Sequence, residues 1–125
     1  MRFMQETGFS VRMGHEEAFQ RWLAANEERI AHSYPEGTEY LGTYAAVYTS
    51  EKTAGGYRVL ERLSSYADLD TLAAMQRDAT TEYAKAWREA TQFFDPDPHA
   101  DSSLVLLKGV TDAAIWDMEP VETGR

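Results

Sequence analysis

The stretch from Thr38 to Leu63, TEYLGTYAAVYTSEKTAGGYRVLERL, constrains the fold more than any other part of the chain. Two runs rich in β-branched and aromatic residues flank Glu51-Lys52-Thr53-Ala54-Gly55-Gly56, and the paired glycines supply the positive φ angles that a strand-to-strand connection needs. In the first run, alternation places Tyr40, Gly42, Tyr44, Ala46 and Tyr48 on one face and Leu41, Thr43, Ala45 and Val47 on the other. Neither face reads as solvated. A hairpin of this kind needs helices on one side and some other cover on the opposite side.

The segments around the hairpin supply the helices. From Arg2 to Met13 the apolar residues Phe3, Phe9, Val11 and Met13 fall on odd positions, which predicts a first strand. Gly14 breaks it, and Glu16 and Glu17 form an acidic first turn suited to the positive end of a helix dipole. A helix is expected over His15–Ser33, where Phe19, Trp22, Leu23, Asn26 and Ile30 share one arc, and Tyr34-Pro35-Glu36-Gly37 stops it. After the hairpin, Ser65 and Asp68 have capping-box spacing. An amphipathic run from about Tyr66 to Phe94 follows, with a break or bend expected in the polar stretch Gln76–Thr81. Asp95-Pro96-Asp97-Pro98 ends this run, and Leu104-Val105-Leu106-Leu107 reads as a last strand buried on both faces.

At 125 residues the chain has the length of one domain, and no repeat of about 20 to 50 residues is visible. The expected division is a protomer domain over residues 1–110 and a tail over 111–125, in which Ile115 and Trp116 are the residues able to dock. A net charge of −9, from 21 acidic against 12 basic residues, repels phosphate backbones and anionic lipid, so neither nucleic acid nor a membrane surface is expected as a partner. The absence of cysteine removes disulfides and thiolate chemistry, and no apolar run approaches the roughly 20 residues of a membrane span. The N-terminal residues lack the order of a signal peptide, and a cytoplasmic location is expected. The excess of arginine over lysine and the abundant alanine are associated with GC-rich bacterial sources.

The order β-α-β-β-α-β predicts an α+β protein with a ferredoxin-like, antiparallel four-stranded sheet and two helices on one face. The other face stays open. Strands that are apolar on both sides would leave there a patch larger than the few hundred Å² usual for a monomer. A second copy is the simplest cover, because a twofold axis lets one surface bury itself, and two facing sheets make a dimeric α/β barrel.

In this pattern the chain resembles the dimeric α/β-barrel superfamily, and within it small NIPSNAP-like and antibiotic-biosynthesis-monooxygenase-like proteins. The resemblance spans roughly residues 2 to 110 and is carried by two strand-to-helix passages, Ser10-Val11-Arg12-Met13-Gly14-His15-Glu16-Glu17-Ala18-Phe19 and Arg58-Val59-Leu60-Glu61-Arg62-Leu63-Ser64-Ser65-Tyr66-Ala67-Asp68-Leu69. It implies the fold and the dimer, while activities among such proteins run from cofactor-free oxygenation to haem degradation to none known. Two features depart from the pattern. Leu63 stands where the monooxygenases often carry a tryptophan, and residues 66–94 contain no histidine of the kind that haem-degrading relatives use.

Glu6, Arg58, Glu61 and Arg62 are charges inside strands, and they serve either to orient a polar ligand group or as paired ions. Tyr40, Tyr44 and Tyr48 offer aromatic faces and hydroxyls to a ligand, or pack a dimer interface. The candidate ligand-binding set is therefore Glu6, Tyr40, Tyr44, Tyr48, Arg58 and Arg62. His15 and His32 show no HExxH spacing. Asp95, Asp97, His99 and Asp101 alternate like hard-cation ligands but lack the glycine and terminal glutamate of an EF-hand, and read as an acidic linker. Tyr83, Trp87 and Phe94 are helix-spaced core aromatics. No dinucleotide, P-loop or nucleophile-elbow motif is present, and neither a cofactor nor a metal is expected. These residues favour a homodimer that binds a small aromatic or apolar ligand beside its sheet. The alternatives are a cofactor-independent monooxygenase or isomerase acting on an aromatic polyketide-like substrate, and a structural module that docks a partner protein.

Overall fold

The computed structural model describes residues 3–51, 55–97 and 100–111. Along these run β1 (Phe3–Phe9), α1 (Glu16–His32), β2 (Thr38–Ala45), β3 (Tyr57–Leu63), α2 (Ala67–Arg77), α3 (Glu82–Ala90), a 3-10 turn at Thr91–Phe93, and β4 (Ser103–Lys108). The strands form one antiparallel sheet in the order β2-β3-β1-β4, which is the ferredoxin-like arrangement expected from the element order. Part of the hairpin turn (residues 52–54), His99 of the acidic linker, and Ile115 and Trp116 of the tail lie outside the described residues.

The second helical run is divided, within the stretch where a break was expected. Asp78 leaves helical geometry, with its backbone extended, and its Oδ1 accepts from the Thr80 amide at 3.0 Å and the Thr80 hydroxyl at 2.7 Å. Thr81 then caps α3, its Oγ1 accepting from the Ala84 amide at 3.1 Å. At the start of α2 the capping residue acts from inside the helix. Asp68 Oδ2 accepts from the amides of Ser64 at 2.8 Å and Ser65 at 3.1 Å, which is the returning half of a capping box.

Two strands are shorter than their sequence patterns predict. β1 ends at Phe9, and Val11 makes only an isolated bridge to Phe94, while Met13 is exposed. β2 ends at Ala45, so Val47, 99% exposed, and Tyr48, 88% exposed, lie beyond its paired region.

The faces of β2 also differ from simple alternation. Tyr40 pairs with Glu61 but Gly42 pairs with Leu60, so Leu41 is an extra residue in a β-bulge. The bulge shifts the phase by one, and Tyr40 therefore faces the helices whereas Tyr44 faces the open side. Gly42 is what permits it. Its φ is +113°, and a Cβ there would sit 2.9 Å from the Tyr44 hydroxyl oxygen.

The three helices cover the face that carries Phe3, Gln5, Thr7 and Phe9 from β1 and Tyr57, Val59, Glu61 and Leu63 from β3. Packing there forms two apolar clusters. Phe3 and Leu63 meet Leu72 and Tyr83 at one end, and Phe9 and Val59 meet Phe19 at the other. Trp87 packs against both. Phe19 and Ile30 of α1 are fully enclosed, each worth about 1.5–3 kcal/mol of burial. Outside the core, Arg29 ties α1 to α3, donating from Nε to Glu82 at 2.6 Å and through both terminal nitrogens to Glu89 at 2.8 and 3.1 Å.

Candidate functional site

Between the two apolar clusters the helix-facing side of the sheet turns polar. The β1–β3 register sets Phe3 against Leu63 and Phe9 against Tyr57, but opposes Gln5 to Glu61 in the middle. Glu61 is only 4% exposed. Gln5 Nε2 donates to its Oε1 at 2.7 Å, and the Tyr34 hydroxyl donates to its Oε2. Tyr34 reaches this point because α1 stops just before Pro35, and its ring stands edge-on to Tyr83 at 5.1 Å.

A hollow of about 220 Å³ opens over this polar band, walled by Phe9, Tyr83, Trp87 and Phe94 and floored by Gln5 and Glu61. Thr7, Gln76 and Thr91 add neutral polar groups, and among the described residues no basic side chain lines it. Burial pushes the Glu61 carboxyl above its ordinary range, because the charged form loses solvation. The hydrogen bonds from Tyr34 and Gln5 offset part of that shift. Burial, and then the same carboxyl, push the Tyr34 and Tyr83 hydroxyls up as well. The arrangement gives an apolar, aromatic-walled recess with one ionisable oxygen pair, able to accept hydrogen bonds from a ligand or to take up a proton.

The candidate residues from the sequence divide between the two faces of the sheet. Glu6, Tyr44, Tyr48 and Arg58 gather around a separate hollow of about 400 Å³ on the open face. Arg58 is 13% exposed there. It contacts Glu6 at 2.5 Å and Glu51 at 3.4 Å, and its Nε is buried with no hydrogen-bond partner among the described residues. Arg62, on the same face, reaches Glu39 at 3.2 Å. Tyr40 does not share a face with Tyr44 and Tyr48, as alternation implied, because of the bulge at Leu41. Its hydroxyl donates to Glu27 at 2.8 Å and lies 2.6 Å from the Thr43 hydroxyl. Among the described residues no group of three or more His, Asp or Glu is arranged to hold a metal ion. Within the acidic linker, Asp95 Oδ1 accepts from the Asp97 amide at 3.0 Å.

The sequence reading missed Gln5 and Tyr34 and left Glu61 among the generic strand charges. One signal was available. Gln5 and Thr7 sit on the same odd phase as Phe3 and Phe9, and polar residues on an otherwise core-facing phase mark either a buried network or a site. For Tyr34, in a Tyr-Pro-Glu-Gly turn, no pattern pointed inward.

The raised carboxyl predicts a pH-dependent stability. The folded value of Glu61 lies above the unfolded value near 4.5, so its contribution is complete below that pH and is lost as pH rises through the folded value. Glu61→Gln, which is neutral throughout, should therefore gain stability relative to the natural chain as pH rises from about 4.5 and then reach a plateau. Denaturant unfolding across this range measures it. A difference that stays flat with pH would show Glu61 to be unperturbed.

No family model matches the chain, and no curated protein matches it significantly. Solved structures do. An uncharacterised NIPSNAP-like domain protein from Burkholderia xenovorans superposes with a TM-score of 0.63 at 10% identity, over 90% of this chain and 88% of that one. A proposed antibiotic biosynthesis monooxygenase from Nitrosomonas europaea gives 0.53 at 18% identity, over 89% and 100%. A dimeric ferredoxin-like protein of unknown function from Thermobifida fusca gives 0.56 at 12% identity, over 86% and 90%. At these identities the likeness is one of fold: the chain has the four-stranded ferredoxin-like architecture shared by NIPSNAP-like, monooxygenase-like and dimeric ferredoxin-like proteins.

Proposed function

We propose that the chain is a homodimer-forming protein that binds a small aromatic ligand in the hollow between its sheet and α2–α3. The observation that carries this reading is Glu61, a buried carboxyl at the floor of an aromatic-walled recess that opens to solvent. An engineered protein cavity of about 150 Å³ holds benzene, so a hollow of about 220 Å³ takes one ring with a short polar arm. That size argues against a fused multi-ring substrate seated wholly within the walls. A cofactor-independent oxygenase or isomerase is the second reading, favoured by the position of Glu61 as a base beside any bound ring. Oxygen uptake with small quinols separates it from binding alone.

The open face supports the dimer. Across its four strands it combines Met4, Leu60 and Val105 with Tyr44, 49% exposed, and Leu107, 44% exposed, and one structural neighbour is itself dimeric. In this arrangement a second copy covers the Glu6, Tyr44, Tyr48 and Arg58 hollow, and the Arg58–Glu6 pair lies in the interface. Light scattering at micromolar concentration should give twice the chain mass, and Leu107→Arg should halve it by placing an unpaired charge in an interface of at least about 1,000 Å². A natural chain that is monomeric under those conditions contradicts the assembly.

Ligand binding is tested by NMR with a panel of one-ring aromatics that are neutral, cationic and anionic. At least one should shift the Trp87 indole resonance together with the central amides of β1 and β3. Thr7→Phe, which fills the hollow, should abolish the shift. If no member perturbs these residues, the hollow is not a ligand site.

A further inference from the structure

We infer that the ligand of the helix-side hollow is an organic cation, an arylalkyl amine with its ammonium group directed to Glu61. The inference rests on the reading of that hollow as a ligand site, and it assigns the charge that such a ligand carries.

Three features lead to it. Among the described residues the ionisable group on the floor is a carboxyl, and each of its oxygens has a protein donor, from Gln5 to one and Tyr34 to the other. A carboxylate accepts about four hydrogen bonds, so acceptor sites remain for a ligand that donates. The walls are Phe9, Tyr83, Trp87 and Phe94, and the negative face of an aromatic ring attracts a cation, tryptophan most strongly. Among the described residues no lysine or arginine lines the recess, so a carboxylate or phenolate ligand would meet Glu61 with nothing there to neutralise either charge. Arg58 and Arg62, which an anionic ligand would seek, are on the opposite face of the sheet beside Glu6 and Glu39. A net charge of −9 adds a long-range field of the same preference.

The groups facing Glu61 agree with this assignment. Among the described residues they are Gln5 from β1, Tyr40 from the neighbouring β2, Tyr34 from the turn after α1 and Tyr83 from α3, and none is cationic. The carboxyl is held above its ordinary range because burial strips solvation from its charge and the hydrogen bonds from Tyr34 and Gln5 offset only part of that. An ammonium group would supply that compensation, and binding would draw the carboxyl back toward its ionised form.

The experiment uses three probes of one size on the full chain at pH 7: 2-phenylethylamine, 2-phenylethanol and 3-phenylpropanoate. Calorimetric titration gives their affinities, and the Trp87 indole resonance reports that they occupy the same recess. The amine should bind about tenfold or more tighter than the alcohol, and the carboxylate weakest of all. Glu61→Gln should remove the advantage of the amine and leave the alcohol within about threefold of its original affinity. If the alcohol or the carboxylate shifts Trp87 and binds as tightly as the amine, the recess is a ligand site but the charge assignment is overturned. If none of the three shifts Trp87, the site itself fails and the inference falls with it. Should Glu61→Gln not fold, the order of the three probes on the natural chain decides the question alone.

Discussion

A carboxyl group buried in the middle of the helix-facing sheet is the constraint around which the rest of the structure is arranged. An ionised carboxylate without partners in such a place costs several kcal/mol, so the fold must either supply donors or keep the group protonated. It does both. Gln5 reaches Glu61 across the β1–β3 ladder, Tyr34 reaches it from the end of α1, and burial holds the carboxyl above its usual range. The packing follows from this polar band. Apolar residues form a cluster at each end of the sheet, and Trp87 joins the two clusters across the gap. The recess exists because the side chains above the band do not close over it.

The two faces of the sheet carry different chemistry, and one extra residue in β2 keeps them distinct. Without the bulge at Leu41, Tyr40 and Tyr44 would lie on the same side. With it, Tyr40 packs under the helices, with its ring 6.3 Å from Trp87, and Tyr44 joins the open face. The open face pairs its charges internally, Arg58 with Glu6 and Arg62 with Glu39, amid apolar residues. Ion pairs set in an apolar surface suit an interface that must be both sticky and specific in register. The recess on the helix side presents the opposite case, lined among the described residues by one carboxyl and no counter-charge.

Much of this architecture was legible in the sequence because its signals are local. Period-two alternation marked β1 and β2, the prolines at 35 and 96 marked the ends of helical runs, and the polar stretch at Gln76–Thr81 marked the break that Asp78 and Thr81 make. The candidate site was only partly legible because it depends on register. Gln5 and Glu61 are 56 positions apart, and nothing in either strand alone says that they face each other. Alternation also assumes an unbroken ladder, so the bulge reversed the side assigned to Tyr40. Gly42 was the one visible hint, since a glycine inside a strand often marks such a defect.

The central claim is that Glu61 is a buried carboxyl, hydrogen-bonded but without a counter-charge in the recess, poised at a ligand site. Its side-chain carboxyl carbon, followed by carbon-13 NMR through a pH titration, tests that most directly. The account predicts a midpoint clearly above the ordinary glutamate value near 4.5, moving down when 2-phenylethylamine is present. A midpoint at or below the ordinary value, unchanged by the amine, would contradict it.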